Sequence, residues 1–541
     1  MTAFPVCRAA ALDRELAFCV KPSFARRDSI SGMESALDQL VADLVLWTDL
    51  SPAERGGIAK RIAAFGDAQT GARRAPESRN ALESSARDAL DHDALRTLDE
   101  AYRNPDTPSA ARGLLLALLA AERSTAALKL FADLFVELPP GDIPDVLVGC
   151  APLMKGKAFP AGALFPRMLD ALRQPQTAAV ALDLANFATR EGIVPRHPAT
   201  DRVGELAELL GQIAQQLLRI EERPPASPAE VEARRQQVSI AMPLFISLCD
   251  ALALIGDKSV VGKLHQALAI GHRRLRTEAA AALARLEEER GFESLVELAA
   301  DPAARTRVLA YLTELGELDR VPAALRSPEA RGAAALADWL GHAAQFGAPP
   351  HEVELIDHCR QHWPGFSEPV DCWLFLYTYH FSQGEFSGVG IVGPVTYSFQ
   401  ADLEDLPPSD IYAAYAGWQA EHEDLRETPA ADLPTHERQR AIAQLHAAID
   451  DDSPYASIEL DKVGHFFQER IVVARARRGG QPGTLIVDDD GSVSWYSAGS
   501  ASRPIGPDVA YWIHTGRKLL ATFNPDGPQT ADAEDAQDES D

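Results

Sequence analysis

The side chains best suited to chemistry in this 541-residue chain lie in its last third. Gly388, Gly390 and Gly393 have the G-x-G-x-x-G spacing that seats a pyrophosphate on a helix N-terminus when a buried strand precedes it and a helix follows. Here the preceding "SQGEFS" is polar and the following "PVTYSF" has strand composition. These are therefore read as strand glycines that admit close packing of a helix or loop, with no dinucleotide. Glu354, His358 and His362 are spaced by four and would share one face of a helix, with His351, Cys359 and Cys372 nearby. Two imidazoles at that spacing suit one zinc. However, Leu355 stands where the second His of H-E-x-x-H belongs, so exposed or hydrogen-bonding histidines are expected rather than a metal site. Asp488-Asp489-Asp490-Gly491 resembles a calcium loop, but that register needs an oxygen ligand at 486 and a Glu at 497, where Ile486 and Ser497 stand. A hairpin turn at Asp490-Gly491 accounts for the run. Arg470, Arg475, Arg477 and Arg478 read as a solvated strand edge that discourages pairing, or else as a patch for an anionic partner. Glu421, Glu423 and Asp424 around His422 read as a solvated helix end. There is no nucleophile elbow, P-loop or CxxC. The residues thus nominate no catalytic, cofactor-binding or metal-ligating position, and no cofactor is expected.

These residues must be positioned by a large chain. Apolar residues are 46% and charged residues 24% of the sequence, a globular profile, and the length implies two or three domains. The longest uninterrupted apolar run, Gly113 to Ala121, is far short of the roughly 18 residues of a bilayer span. A net charge of −27, from 52 basic and 79 acidic residues, repels nucleic acid and anionic lipid, so neither is expected as a partner. Six sparse cysteines fit a reducing, cytoplasmic setting. Residues 1–32 are mildly basic and end before Met33. They read as an unstructured arm or as a leader upstream of the true start, and "AALDRELAFCV" is too interrupted for a secretory signal. The tail 526–541 has seven acids and no base and is expected to be disordered.

From Met33 to about 220 the pattern is helical, with Leu37, Leu40, Val41, Leu44 and Val45 on one face and a polar loop or marginal helix at 66–90. Ser51-Pro52-Ala53-Glu54 and Ser227-Pro228-Ala229-Glu230 carry helix-start chemistry, the second after a break at 221–228. After about 365 the texture becomes aromatic and β-branched between glycines. Strands are predicted at 372–381, 388–399, 466–477, 483–490 and 492–497, joined in one sheet, with a turn near Gln383-Gly384 between the first two. Helices are predicted at 409–424, 435–449 and 507–521.

Between about 240 and 342 one phrase recurs: Leu254-Ile255-Gly256-Asp257, Arg285-Leu286-Glu287-Glu288, Glu314-Leu315-Gly316-Glu317 and Trp339-Leu340-Gly341-His342. Each closes an apolar run with helical spacing, as in Leu244, Leu248, Ala251, Leu252 and Ile255. This region resembles HEAT repeats of the short bacterial kind also seen in phycobilisome-lyase-like proteins. The resemblance implies an α-solenoid over 240–364, with degenerate copies upstream in 33–220 and Leu254, Ile255, Leu286, Leu315 and Leu340 in equivalent buried positions. The expected fold is therefore mainly α, a HEAT-like α-solenoid followed by a smaller α+β domain over 365–525 with an antiparallel sheet.

Two functions follow. A non-catalytic scaffold or adaptor for a protein partner is implied by repeats without a site. The alternative is an enzyme or ligand-binding protein whose pocket lies in the C-terminal domain, where Trp373, Tyr377, Tyr379, Trp418, Trp495, Tyr496, Tyr511 and Trp512 are available to line it. Bilin attachment, as in the lyase-like relatives, is a third reading implied by the resemblance alone. A C-terminal pocket with converging polar residues of perturbed pKa would favour the second over the first.

Overall fold

The computed structural model describes residues 92–155, 158–223, 227–381, 384–420, 426–449, 453–498 and 503–528. The leader, the helix around Leu37, the Ser51 cap, the loop at 66–90, Gln383, the Glu421–Asp424 cluster and most of the acidic tail lie outside these residues. The chain divides into two compact units between Glu297 and Leu298.

The first unit is helical: α1 (His92–Arg103), α2 (Ser109–Glu122), α3 (Thr125–Glu137), α4 (Ile143–Cys150), α5 (Pro175–Arg190), α6 (Val203–Glu222), α7 (Pro228–Ile255), α8 (Val261–Ala267), α9 (Arg273–Arg285) and α10 (Glu289–Leu298), in whose last turn the division falls. The helices pack in two rows. One runs α2, α4, α5, α7, α9, and the other holds two separate pairs, α3 on the 3-10 helix Arg167–Arg173 and α6 on α8, with cross-contacts such as α6 on α7 and that 3-10 helix on α5. A single buried cluster runs through both rows, from Leu98 to Leu286. Ser227 caps α7 as its sequence implies, its Oγ accepting from the Glu230 N–H at 3.3 Å. By length and composition α7 contains a stretch apolar enough to cross a membrane. Here Leu244, Phe245, Leu248, Cys249, Ala251 and Leu252 of that stretch are buried in protein, and Asp250 within it pairs with Arg190 and Arg285.

The recurring phrase is a helix terminus. Gly256, Glu287 and Gly316 all adopt positive φ, at 77°, 62° and 72°. The following amides of Glu288 and Glu317 reach back to the carbonyls of Leu283 (3.0 Å) and Leu312 (2.8 Å), while the Gly256 amide bonds Leu252 at 3.2 Å. These are left-handed C-caps. The equivalence of buried positions is only partial, since Leu286 and Leu340 are buried but Leu254, Ile255 and Leu315 are half-exposed. The fourth copy also differs, because Gly341 lies inside its helix.

The second unit begins with α11 (Pro302–Glu314) and α12 (Pro328–Gly341), tied by buried Arg305, which donates to the carbonyls of Ala299 (2.8 Å), Ala300 (3.0 Å) and Ala330 (2.7 Å). Two antiparallel sheets follow rather than one. Sheet A comprises β1 (Glu352–Gln361), β2 (Val370–Phe381), β3 (Gly384–Val392) and β4 (Tyr397–Ser398). Sheet B comprises β5 (Glu427–Pro429), β6 (Tyr455–Phe466), β7 (Glu469–Arg478), β8 (Gln481–Val487) and β9 (Val493–Ser497). The helices are α13 (Pro408–Gln419), α14 (Thr435–Ala448) and α15 (Pro507–Phe523), within a few residues of the predicted spans.

Sheet A is apolar on both faces. Phe375, Tyr377 and Tyr379 pack on Ala333, Leu336 and Leu340 of α12, while Cys372, Leu374, Val389 and Ile391 face α13. The last helix read as a repeat thus serves as cover for this sheet. Sheet B places Val472, Ala474 and Leu485 against Ala441 and Leu445 of α14. Its other face, with Ile471, Val473 and Ile486, joins the cluster around α13 and α15. This helix pair lies between the sheets and prevents them from merging. It does so at very close range, since a methyl group at Gly516 would overlap the Ala413 carbonyl oxygen and one at Gly417 the Trp512 carbonyl oxygen. The predicted strand 388–399 is interrupted at Gly393-Pro394, where φ of Gly393 is 130° and the proline lacks a ladder donor.

Two stability changes follow. Gly516→Ala should cost about 2–3 kcal/mol, because the overlapped atom belongs to the backbone and cannot rotate away. Glu287→Gly should stabilise by about 0.5–1 kcal/mol by relieving a non-glycine left-handed residue. Chemical denaturation of the two variants beside the parent checks both signs.

Candidate functional site

The glycines of the G-x-G-x-x-G segment lie in and just after β3, not before a helix. A Cβ at Gly390 would stand 2.6 Å from Leu336 Cδ1 of α12, and one at Gly388 the same distance from Tyr377 Oη. The close packing of a helix expected from the sequence is what is found. The histidine segment is corrected: 352–361 is strand β1, with a bulge between Leu355 and Asp357, so spacing by four confers no common helical face. His358 stacks on Trp373 at 3.6 Å and pairs with Asp371 at 3.0 Å, while the His362 backbone is held by the Asn524 side chain. No group of three or more His, Cys, Asp or Glu among the described residues could hold a metal ion. The arginine segment is also corrected, since β7 is the central strand of sheet B rather than an edge. Arg470 bonds Gln444 (2.9 Å) and Arg475 bonds Asp461 (2.8 Å).

Polar side chains converge elsewhere in this unit. A cleft of about 430 Å³ is lined by Asp402, Asp405 and Leu406, Asp410 of α13, Ser494 to Ser497 of β9, Ile505, and Arg517 of α15. Arg517 grips Asp410 through two parallel bonds of 2.7 and 2.6 Å, and this charge-assisted fork raises the guanidinium's pKa. Its remaining arm reaches the Tyr496 hydroxyl at 3.4 Å. Behind the cleft wall, Tyr496 Oη lies 3.3 Å from His514 Nδ1, and His514 Nε2 lies 2.9 Å from Asp488 Oδ1. Lys518 bridges Asp488 (3.1 Å) and Glu469 (2.8 Å). Tyr496, His514 and Asp488 are each 8% exposed.

The electrostatics follow from this burial. Desolvation pushes the Tyr496 phenol up to about 12, so it remains protonated at neutral pH despite the nearby Arg517. Burial alone would raise Asp488, but the hydrogen bonds and charges of His514 and Lys518 outweigh it and hold the carboxyl below its ordinary value. Asp402, another residue lining the cleft, is 6% exposed. Its backbone N–H donates to the Arg503 carbonyl at 2.8 Å, while its Oδ1 has no hydrogen-bond partner. A buried carboxylate oxygen without a donor is costly unless something supplies one.

Of the aromatic residues nominated from sequence, only Trp495 and Tyr496 line this cleft. Tyr377, Tyr379 and Tyr511 are buried in the core, and Trp418 and Trp512 pack against it. The triple-aspartate run is the β8–β9 hairpin, as expected, with Val487 opposite Val493. Its first member, Asp488, enters the buried network. Asp402, Asp410, His514, Arg517 and Lys518 were not singled out from sequence. The spacing of 514, 517 and 518 on one helix face is the signal that was available. No family model, curated protein or solved structure matches this chain.

Asp488→Asn should destabilise by about 3 kcal/mol, since it leaves Lys518 and His514 facing a neutral amide in a buried network. Because the folded-state pKa of Asp488 is depressed, its contribution is present above the ordinary carboxylate pKa and is lost as pH falls through the folded value. Denaturation midpoints of parent and variant should therefore converge on acidification. A gap that persists at low pH would contradict this origin.

Proposed function

We propose that the second unit binds a small organic cation in the cleft between α13, β9 and α15. The observation that carries this reading is the set of three carboxylates lining the cleft, Asp402, Asp405 and Asp410, of which Asp402 is buried with its Oδ1 lacking a hydrogen-bond partner. Asp405 stands beside it and Asp410 is already engaged by Arg517, so three carboxylates meet one fixed cation in a chain of net charge −27. Such a field concentrates positive ligands. An ammonium or guanidinium group fits the oxygen set, and the volume suits a molecule of metabolite size. Tyr496, protonated and held by His514 and Arg517, closes the same wall.

Calorimetric titration of the full chain with alkylammonium, diamine and guanidino compounds, with neutral polyols and carboxylates as controls, tests this. Saturable binding of a cation, weakened about tenfold or more by Asp402→Asn, is the expected outcome, as for loss of one charge-assisted hydrogen bond. Absence of saturation for every cation, or affinity indifferent to that substitution, would refute it.

A second reading assigns a protein partner to the first unit, as a HEAT-like solenoid acting as scaffold or adaptor. It is supported by the two rows of helices and by the recurring capped termini. A cytoplasmic location accords with it, since the four described cysteines are free thiols.

A further inference from the structure

Cys359 of β1 and Cys372 of β2 are direct register partners across an antiparallel pair. Directly opposed residues bring their Cβ atoms to about 4.5–5.5 Å, near the separation that a disulfide spans. Both residues are buried, at 3% and 0% exposure, in the cluster between sheet A and α13. What sets this pair apart is that each cysteine has the other directly opposite it. The neighbouring Cys372 thiol lowers the Cys359 pKa against the effect of burial, while the Tyr412 hydroxyl donates to the Cys372 carbonyl at 3.0 Å. The same contact between the thiols pushes Cys372 up, as does its burial. Cys150 of α4 and Cys249 of α7, equally buried, lie on separate helices, and desolvation drives both pKa values upward.

We propose that Cys359 and Cys372 form a redox-active dithiol that hydrogen peroxide converts into a cross-strand disulfide fastening β1 to β2. The Cys359 thiolate attacks one peroxide oxygen and the O–O bond breaks. The departing hydroxide takes a proton to become water, leaving Cys359 as a sulfenic acid. The Cys372 sulfur then attacks Cys359 Sγ, its proton joins the leaving hydroxide, and a second water departs as the S–S bond forms. Two thiols lose two electrons and two protons, and one peroxide becomes two waters. The bond secures an edge strand, since β1 borders sheet A and pairs only with β2.

The test uses the full chain, reduced and then exposed to graded hydrogen peroxide, alkylated, digested and mapped by mass spectrometry. The expected product is a peptide pair joining Cys359 and Cys372, lighter by two hydrogens and released by dithiothreitol. Cys150 and Cys249 should remain alkylatable after unfolding. In Cys359→Ser, Cys372 should remain a free thiol under the same exposure. The proposal is overturned if Cys359 and Cys372 stay alkylatable, if either proceeds to sulfinic acid without cross-linking, or if the bridge forms with another cysteine. The parent protein's map decides the matter even if the variant fails to fold.

Discussion

The second unit depends on one close approach, the crossing of α13 and α15 at Gly417 and Gly516. With hydrogen in place of a side chain at both positions, each helix presses a backbone carbonyl of its partner, and the pair is thin enough to lie between two sheets. Its outward faces then supply Tyr412 and Tyr415 to sheet A, where their hydroxyls bond the carbonyls of Cys372 (3.0 Å) and Val389 (2.8 Å). The cleft inherits its geometry from the same crossing. Arg517 directly follows Gly516, and Asp410 lies one turn before Ala413, so the contact that excludes a methyl also brings guanidinium and carboxylate together. Packing here positions the polar site, and the site's ion pair in turn secures the crossing.

Local chemistry was legible in the sequence, whereas tertiary partnership was not. Strand 372–381, the Asp490-Gly491 hairpin and the three C-terminal helices are encoded by short-range signals, namely alternation, turn residues and helix-start prolines, and the structure reproduces them. The segment 351–362 misled because the spacing of Glu354, His358 and His362 has helical period, while Val353 and Leu355 alternate as a strand requires. The alternation prevails, with a bulge absorbing Ile356. The single predicted sheet became two because nothing in strand composition states which helix will intervene. For the site, Tyr496 and Asp488 had drawn attention for other reasons. Asp410 meets Arg517 across 107 residues of sequence and Asp402 joins them in lining the cleft, which no local period reveals.

The recurring phrase illustrates the same limit. Gly256, Glu287 and Gly316 share a left-handed cap because ending a helix poses the same problem each time: orphan carbonyls need donors, and the chain must turn. That solution is local and serves equally in the two-row helical unit and in the unit containing the sheets. Similar termini therefore occur on both sides of the division at Glu297, and the equivalence of the leucines before them holds only where the tertiary surroundings agree, at Leu286 and Leu340.

The strand borders carry a consequence for the chain's behaviour at high concentration. Sheet A ends on one side at β4, two residues long, and sheet B ends at β5, three residues closing on Pro429, and at β9, five residues. The remaining border, β1, is longer but is bulged and bears Glu352, Glu354, Asp357 and Arg360. At these four border strands a foreign strand meets a run of unpaired amides that is too short or one that is kinked and charged, although β4 reaches only Gly390 and Ile391 of β3 and β5 only Lys462 to Gly464 of β6. Amyloid-like templating from these border strands is thus disfavoured by geometry in the folded state, and the uncovered lengths of β3 and β6 are where an added strand would have to pair.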